Sequence, residues 1–210
     1  MTILMNKCSW ERHLIHPLVL IVTLWFVSKS ASAFRTPRAF AWARRRHQHR
    51  TLTMAILDSP SAQRNKEPIW NVLSEIVLPL LPKDEPLSIL EIAAGCGVHT
   101  EHFASKLSER EPSFQYYPTD LDPVSRVSIQ GRIQQSKLVD NVNDPLSLTL
   151  DANGIVEEET AAALDSHGDL DLILCINMIH ISPWEATRGL MRLAGKKLRK
   201  GGVLFCYGPY

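Results

Sequence analysis

Leu87-Ser-Ile-Leu-Glu-Ile-Ala-Ala-Gly-Cys-Gly-Val-His-Thr-Glu-His-Phe103 is the stretch whose reading decides the fold. Ile89, Leu90 and Ile92, interrupted only by Glu91, form the short apolar run of a buried parallel strand. The small residues Ala93, Ala94, Gly95 and Gly97 follow at once, and a helical pattern through Phe103, Ala104 and Leu107 takes over. Strand, glycine turn and helix make the first unit of a doubly wound nucleotide-binding sheet. The turn needs positive φ, and a missing Cβ lets a ligand come close to the backbone. The helix aims free N–H groups and its positive dipole end at whatever lies over the turn. Glu91, an acid near the end of the first strand, suits a cationic or amine-bearing ligand. Thr100 stands where the dinucleotide fingerprint carries a third glycine. The stretch reads as a cofactor site rather than an empty strand-to-helix turn.

Later acids and polar residues extend this site. Phe114 to Thr119 reads as a second strand ending in Asp120, placed to meet ribose hydroxyls. Asp122 and Pro123 read as the N-cap and first turn of the next helix. Pro145 to Asp151 alternates like a strand, and Asp151 suits either an adenine amino group or a simple turn. Leu170 to Ile176 is a buried strand, with Asn177 and His180 just past its carboxyl end, the rim where open α/β sheets bind ligands. His180 is the candidate general base, because imidazole titrates near neutrality, or else packs at a helix entrance. His99 and His102 lie i, i+3 on the glycine-turn helix; without a third ligand, His99 is read as lying near the cofactor and no metal site is expected.

The chain has 210 residues, 45% hydrophobic and 21% charged, enough for one sizeable core. Its net charge of +1 hides a division. Residues 1–57 hold nine Lys and Arg and one acid, Glu11, while residues 58–210 hold 14 Lys and Arg against 21 Asp and Glu. An acidic body argues against an electrostatic nucleic-acid binder.

Residues 1–33 have the charged start, apolar middle (Leu14 to Val27) and small-residue exit (Ala31-Ser-Ala33) of a signal peptide. The apolar run is short of the ~20 residues of a membrane span, so no stable anchor is expected once the leader is removed. Residues 34–57 open on Phe34 and carry six arginines without an acid, which is transit-peptide chemistry. Together they resemble a bipartite leader for plastids enclosed by extra membranes, which places the mature protein in the plastid. Secretion, or a start at Met54 with a cytosolic protein, are the alternatives. Cys8, Cys96, Cys175 and Cys206 show no ligand-like spacing, so free thiols are expected.

The domain proper spans 58–210. Ile69, Leu73, Ile76 and Val77 make an amphipathic helix with Pro68 in its first turn, and Arg64 and Lys66 are solvated charges or lid residues for a ligand carboxylate. The helix stops at Pro79 to Pro82, and Lys83-Asp-Glu-Pro86 reads as a polar turn. Glu157 to Leu164 reads as a surface helix. Ser182-Pro-Trp-Glu185 has capping-box spacing for a helix that ends on Lys196 to Lys200 with Gly201 as its stop. Gly202 to Tyr207 supplies a fifth strand.

Five blocks carry a resemblance to a known family: Arg64-Asn-Lys-Glu-Pro-Ile69, Leu90-Glu-Ile-Ala-Ala-Gly-Cys-Gly-Val-His99, Pro118-Thr-Asp-Leu-Asp-Pro123, Leu174-Cys-Ile-Asn-Met-Ile-His-Ile-Ser-Pro183 and Tyr207-Gly-Pro-Tyr210. In this order they are similar to the methyltransferase-like 26 family of class I S-adenosylmethionine-dependent methyltransferases. The resemblance implies an α/β Rossmann-like sheet with helices on both faces. It also implies S-adenosylmethionine over Glu91, Ala93, Gly95 and Gly97, the ribose on Asp120, the adenine near Asp151, and the methionine end towards Glu91 and Asn177. The methyl acceptor, a small molecule or a protein, is not named by it. Family members continue past the last block, so five parallel strands are expected here, with the final two strands of the fold missing.

Overall fold

Apolar strands flanked by helix-forming sequence fold as the alternation predicts. The computed structural model describes Thr2–Leu4, Leu18–Thr23 and residues 56–81, 86–110 and 113–209. The proposed cleavage site at Ala31 to Ala33, the arginine-rich stretch as far as residue 55, most of the polar turn at 83–86, Cys8 and Tyr210 lie outside the described residues.

In chain order the elements are β1 (Thr2–Leu4), β2 (Leu18–Thr23), α1 (Pro60–Val72), β3 (Leu87–Ile92), α2 (Val98–Ser108), β4 (Phe114–Pro118), α3 (Pro123–Gln135), β5 (Leu150–Asp151), β6 (Gly154–Ile155), α4 (Glu158–Ser166), β7 (Leu170–Ile176), α5 (Trp184–Lys197) and β8 (Leu198–Tyr207). One sheet has the order β1-β2-β8-β7-β3-β4, and all its pairs are parallel except β1 with β2. The sheet is doubly wound. Alternate strand residues divide between two cores: Ile89, Tyr116, Leu174 and Phe205 pack under α1, α2 and α3, while Leu90, Ile173, Cys175 and Cys206 pack under α4 and α5. Each such aliphatic side chain contributes roughly 1.5–3 kcal/mol through burial. Among the described residues, no helix is long and apolar enough to cross a membrane.

Several expectations shift. The third predicted strand does not form over Pro145 to Asp151. Residues 141–146 run beside β4 through bridges Tyr116–Val142 and Thr119–Leu146, and Pro145, which has no N–H, interrupts the ladder. Leu150 and Asp151 instead enter the two-stranded β5–β6 hairpin. The outer edge of β8 pairs with β2 from Leu18–Val203 to Val22–Tyr207. Helix α1 starts eight residues before Pro68, because Ser59 accepts from the Ala62 N–H at 3.4 Å and Pro60 fits the first turn. Pro68 therefore sits inside the helix, where it removes one backbone bond. The chain then passes through a π turn at Leu73–Val77 and a 3-10 turn at Leu78–Leu80.

The α5 capping box does not form. Pro183 is extended (φ −57°, ψ 151°), so it precedes the helix instead of opening it, and the Ser182 hydroxyl is buried with no partner among the described residues. The basic run does not end α5 as expected: the helix stops at Lys197, Leu198 to Lys200 already belong to β8, and Gly201 lies inside that strand instead of stopping the helix. Lys197 meets Asp165 at 2.6 Å and the Leu164 carbonyl at 3.0 Å at the end of α4, and Arg199 meets Asp171 at 3.0 Å. The cap of α3 is the one predicted. Asp122 accepts from the Val124 and Ser125 N–H groups at 3.2 and 3.0 Å. Replacing Asp122 by alanine is expected to cost about 1 kcal/mol, read as a lower urea midpoint with an unchanged slope.

Candidate functional site

The turn between β3 and α2 alternates handedness. Ala93, Gly95 and Gly97 have φ of 55°, 58° and 82°, all in the left-handed region. Glycine accepts this without cost, whereas Ala93 is held there by its surroundings. The turn is pinned to the end of β4: Ala94 N–H donates to the Thr119 carbonyl at 2.9 Å, and Gly95 N–H donates to Asp120 Oδ2 at 2.8 Å. Asp120 Oδ1 takes the Asp122 N–H at 2.9 Å. Each carboxylate oxygen keeps a further lone pair for a hydroxyl.

The two glycines differ in what they face. A Cβ on Gly97 would lie 3.0 Å from the Ile129 Cα, so α3 packs directly against the turn there. A Cβ on Gly95 would meet nothing within 4 Å among the described residues. Gly97 is thus required by the protein's own packing, and Gly95 opens to the space a ligand would use. Asn177, at the end of β7, also has a left-handed φ of 59°, and its N–H donates to the Tyr207 carbonyl at 2.7 Å. Ala93, Gly95, Gly97, Asp120 and Asn177 are therefore gathered at the carboxyl ends of β3, β4 and β7.

Glu91 is placed differently from a rim residue. It is 1% exposed, and its side chain turns into the core beneath α2. Oε2 accepts from the Thr100 hydroxyl at 2.6 Å and the Tyr116 hydroxyl at 2.8 Å, while Oε1 is buried with no partner among the described residues. Burial outweighs the two donors and pushes the carboxyl up to about 7. His99, in the first turn of α2, is also buried. Its Nε2 lies 2.8 Å from Asn65 Oδ1, and its ring stacks on Phe103. Desolvation lowers its pKa to about 4, so the ring is neutral at physiological pH and donates to Asn65. His102 meets Glu67 Oε2 at 2.9 Å. Among the described residues no group of three or more His, Cys, Asp or Glu is arranged to hold a metal ion.

His180 stands exposed in the turn after β7. Asp151 lies in the β5–β6 hairpin, with its backbone against Gly189 on α5. Its Oδ1 accepts from the Asn153 and Gly154 N–H groups at 2.6 and 3.1 Å, closing the β5–β6 turn. Asn153 and Gly154 share a cavity of about 290 Å³ with Asp169, which precedes β7, and with Lys196 and Lys197 at the end of α5. The hairpin thus sits towards the amino ends of the strands. Of the two roles open to Asp151, the turn is the one these hydrogen bonds show.

A family model described as a protein of unknown function (DUF938) matches residues 57–210. The chain belongs to this family. The DUF938 match begins at Leu57, whose N–H donates to Ser128 on α3 at 2.9 Å, so it includes the whole site. Among solved structures, the chain is similar to an O-methyltransferase family protein from Burkholderia thailandensis (21% identity, TM-score 0.48, covering 68% of this chain and 37% of that one). It is also similar to a SAM-dependent methyltransferase from Thiobacillus denitrificans in complex with S-adenosyl-L-homocysteine (15%, 0.42, 70% and 48%). A third is a putative S-adenosyl-L-methionine-dependent methyltransferase from Methanococcus maripaludis (13%, 0.43, 74% and 68%). The chain spans less than half the length of the first two.

Sequence reasoning missed the partners of the site residues: Tyr116 and Thr100 on Glu91, Asn65 on His99, and Ser128 and Arg132 beside the turn. One signal was present. Tyr116 lies two positions before Pro118, the register partner of Glu91, so a polar side chain shares its face.

Proposed function

We propose that this DUF938 chain is an S-adenosylmethionine-dependent methyltransferase that holds its cofactor over the turn from Ala93 to Gly97. The observation that carries the reading is Gly95. Its Cα faces open space, while its N–H is fixed by Asp120, the acid closing the neighbouring strand. A nucleoside with free ribose hydroxyls suits the remaining lone pairs of Asp120. An ammonium group suits the unpartnered Oε1 of Glu91. The resemblance to the methyltransferase-like 26 family supports a ligand that carries both.

When bound, the cofactor supplies an already activated sulfonium methyl group. The chain's part is then to orient donor and acceptor in line and to exclude water. Asn177 lies at the rim for that purpose, and His180 is placed to take a proton from an acceptor that carries one. Ile181 and Trp184, exposed beside the end of β7, offer apolar contact to the acceptor, a small molecule or a protein side chain.

Titration calorimetry with S-adenosylhomocysteine tests the reading. Binding is expected, and Asp120→Ala should weaken it at least tenfold, the loss of charge-assisted bonds worth about 1.5–3 kcal/mol. Binding without transfer of a labelled methyl group to any acceptor would leave a cofactor-binding module instead of an enzyme. Indifference to both S-adenosylmethionine and its demethylated product would end the proposal.

A further inference from the structure

The three residues before α1 form a strap across α3, fastened through two side chains that the proposed cofactor site does not use. Leu57 N–H donates to Ser128 Oγ at 2.9 Å, and the same hydroxyl donates to the Cys96 carbonyl at 3.0 Å. Arg132 Nε donates to that carbonyl as well, at 2.9 Å. The rest of the guanidinium is divided: one terminal nitrogen meets Glu101 on α2 at 2.6 Å, and the other meets the Leu57 carbonyl at 2.6 Å and Asp58 at 3.5 Å. Ser128 and Arg132 are both buried. Beyond the strap, Asn65 on α1 binds His99 in the first turn of α2. Segment 96–101 is therefore held at three points, at Cys96 and Glu101 by the α3 side chains that also bind the strap and at His99 by α1.

We propose that Ser128 and Arg132 form a latch that sets the glycine turn in its binding conformation and couples it to the strap. This makes them positioning residues for a ligand over the turn, and the inference rests on the cofactor reading above. The reason is local. The Cys96 carbonyl lies between two left-handed glycines, the least conformationally restricted residues in the chain. Two donors converging on that one oxygen orient the peptide plane between them. The planar guanidinium can serve the turn, α2 and the strap together because its donors are arranged as a rigid fork, which a lysine ammonium cannot reproduce. Ordering the turn therefore orders the strap, and a ligand that favours one favours the other.

Amide exchange on the whole chain, with and without S-adenosylhomocysteine, tests the coupling directly. In the native protein the ligand should slow exchange at the Leu57 N–H at least tenfold. Ser128→Ala should abolish this ligand-induced protection and weaken binding about tenfold, with the thermal midpoint nearly unchanged. Arg132→Lys, which keeps the charge facing Glu101 but loses the Nε donor, should also weaken binding. A brace with no role in binding would give neither the ligand-dependent protection nor a failure of lysine to rescue. Native-protein exchange at Leu57 that ignores bound ligand overturns the proposal without recourse to any variant, as does native affinity in both variants. If the native chain binds neither S-adenosylmethionine nor S-adenosylhomocysteine, the cofactor reading has failed. The latch is then judged by exchange at Gly95 and Gly97, which Ser128→Ala should accelerate if it sets the turn and leave unchanged if it does not.

Discussion

Replacing Gly97 by valine is expected to be the most damaging single change in this site, lowering stability by roughly 2–5 kcal/mol and removing ligand binding with it. Two penalties combine. A β-branched residue at φ 82° is strained whatever space surrounds it, and its Cβ would stand 3.0 Å from both the Cα and Cγ1 of Ile129. Backbone cannot swing aside as the end of a flexible side chain can, so α3 must move. Gly95→Ala is the control. Its φ of 58° costs about 1 kcal/mol, yet nothing lies within 4 Å of the new Cβ. Urea unfolding should therefore separate the two variants, with Gly95→Ala nearly native in stability, while calorimetry should find both deficient in binding. A Gly97→Val protein as stable as the native one would contradict the close packing of α3 on the turn.

Glu91→Gln is expected to act in opposite directions on stability and binding. The folded protein raises the Glu91 carboxyl from its ordinary value of 4.5 to about 7, chiefly by burial. A raised pKa means that the folded state holds this proton more tightly than the unfolded chain does. The stability it contributes is complete below pH 4.5, declines as pH rises to 7, and is gone above that. The span corresponds to a few kcal/mol. Glutamine removes the titration. Its amide oxygen can still accept from Thr100 and Tyr116, so the variant should be more stable at pH 8 and show a flatter profile from pH 4.5 to 7. If Oε1 receives the ligand's ammonium group, the ionised carboxylate is the binding form. Affinity in the native protein should then rise with pH through 7, and the glutamine variant should bind more weakly. Urea midpoints across this range, paired with calorimetry at pH 6 and 8, measure both effects. A variant that is less stable at pH 8 would show that the charged form is better solvated than the buried geometry implies.

Both effects, if measured, would account for an acid in a core that accepts an amide more easily. Stability given up at one buried group in exchange for a ligand contact is the common cost of a binding site.

The central strand, the glycine turn and α2 were legible in the sequence, as were the Asp122 cap of α3 and the fully buried β7. In each case the determinants lie within about ten residues of one another. Hydrophobic period, turn chemistry and capping act at that range, whatever the rest of the chain does. Asp120 and Asn177 could be placed at the rim for the same reason, since each closes a strand whose direction the alternation of strands and helices had set.

Tertiary packing decided the rest. The orientation of Glu91 depends on Tyr116, 25 residues away, and the fastening of the glycine turn depends on Ser128 and Arg132, 32 and 36 residues beyond Cys96. Asp151 had two readings because a strand end and a hairpin turn look alike locally, and the hairpin turn came into view only with the pairing of β5 and β6. The start of α1 moved because Ser59 and Pro60 provide a cap upstream, while the capping-box residues before α5 failed because Pro183 is extended. Periodicity tells a residue which face of its element it occupies. Which neighbour meets that face, and at which end of the sheet, is set by contacts between segments that the chain brings together only on folding.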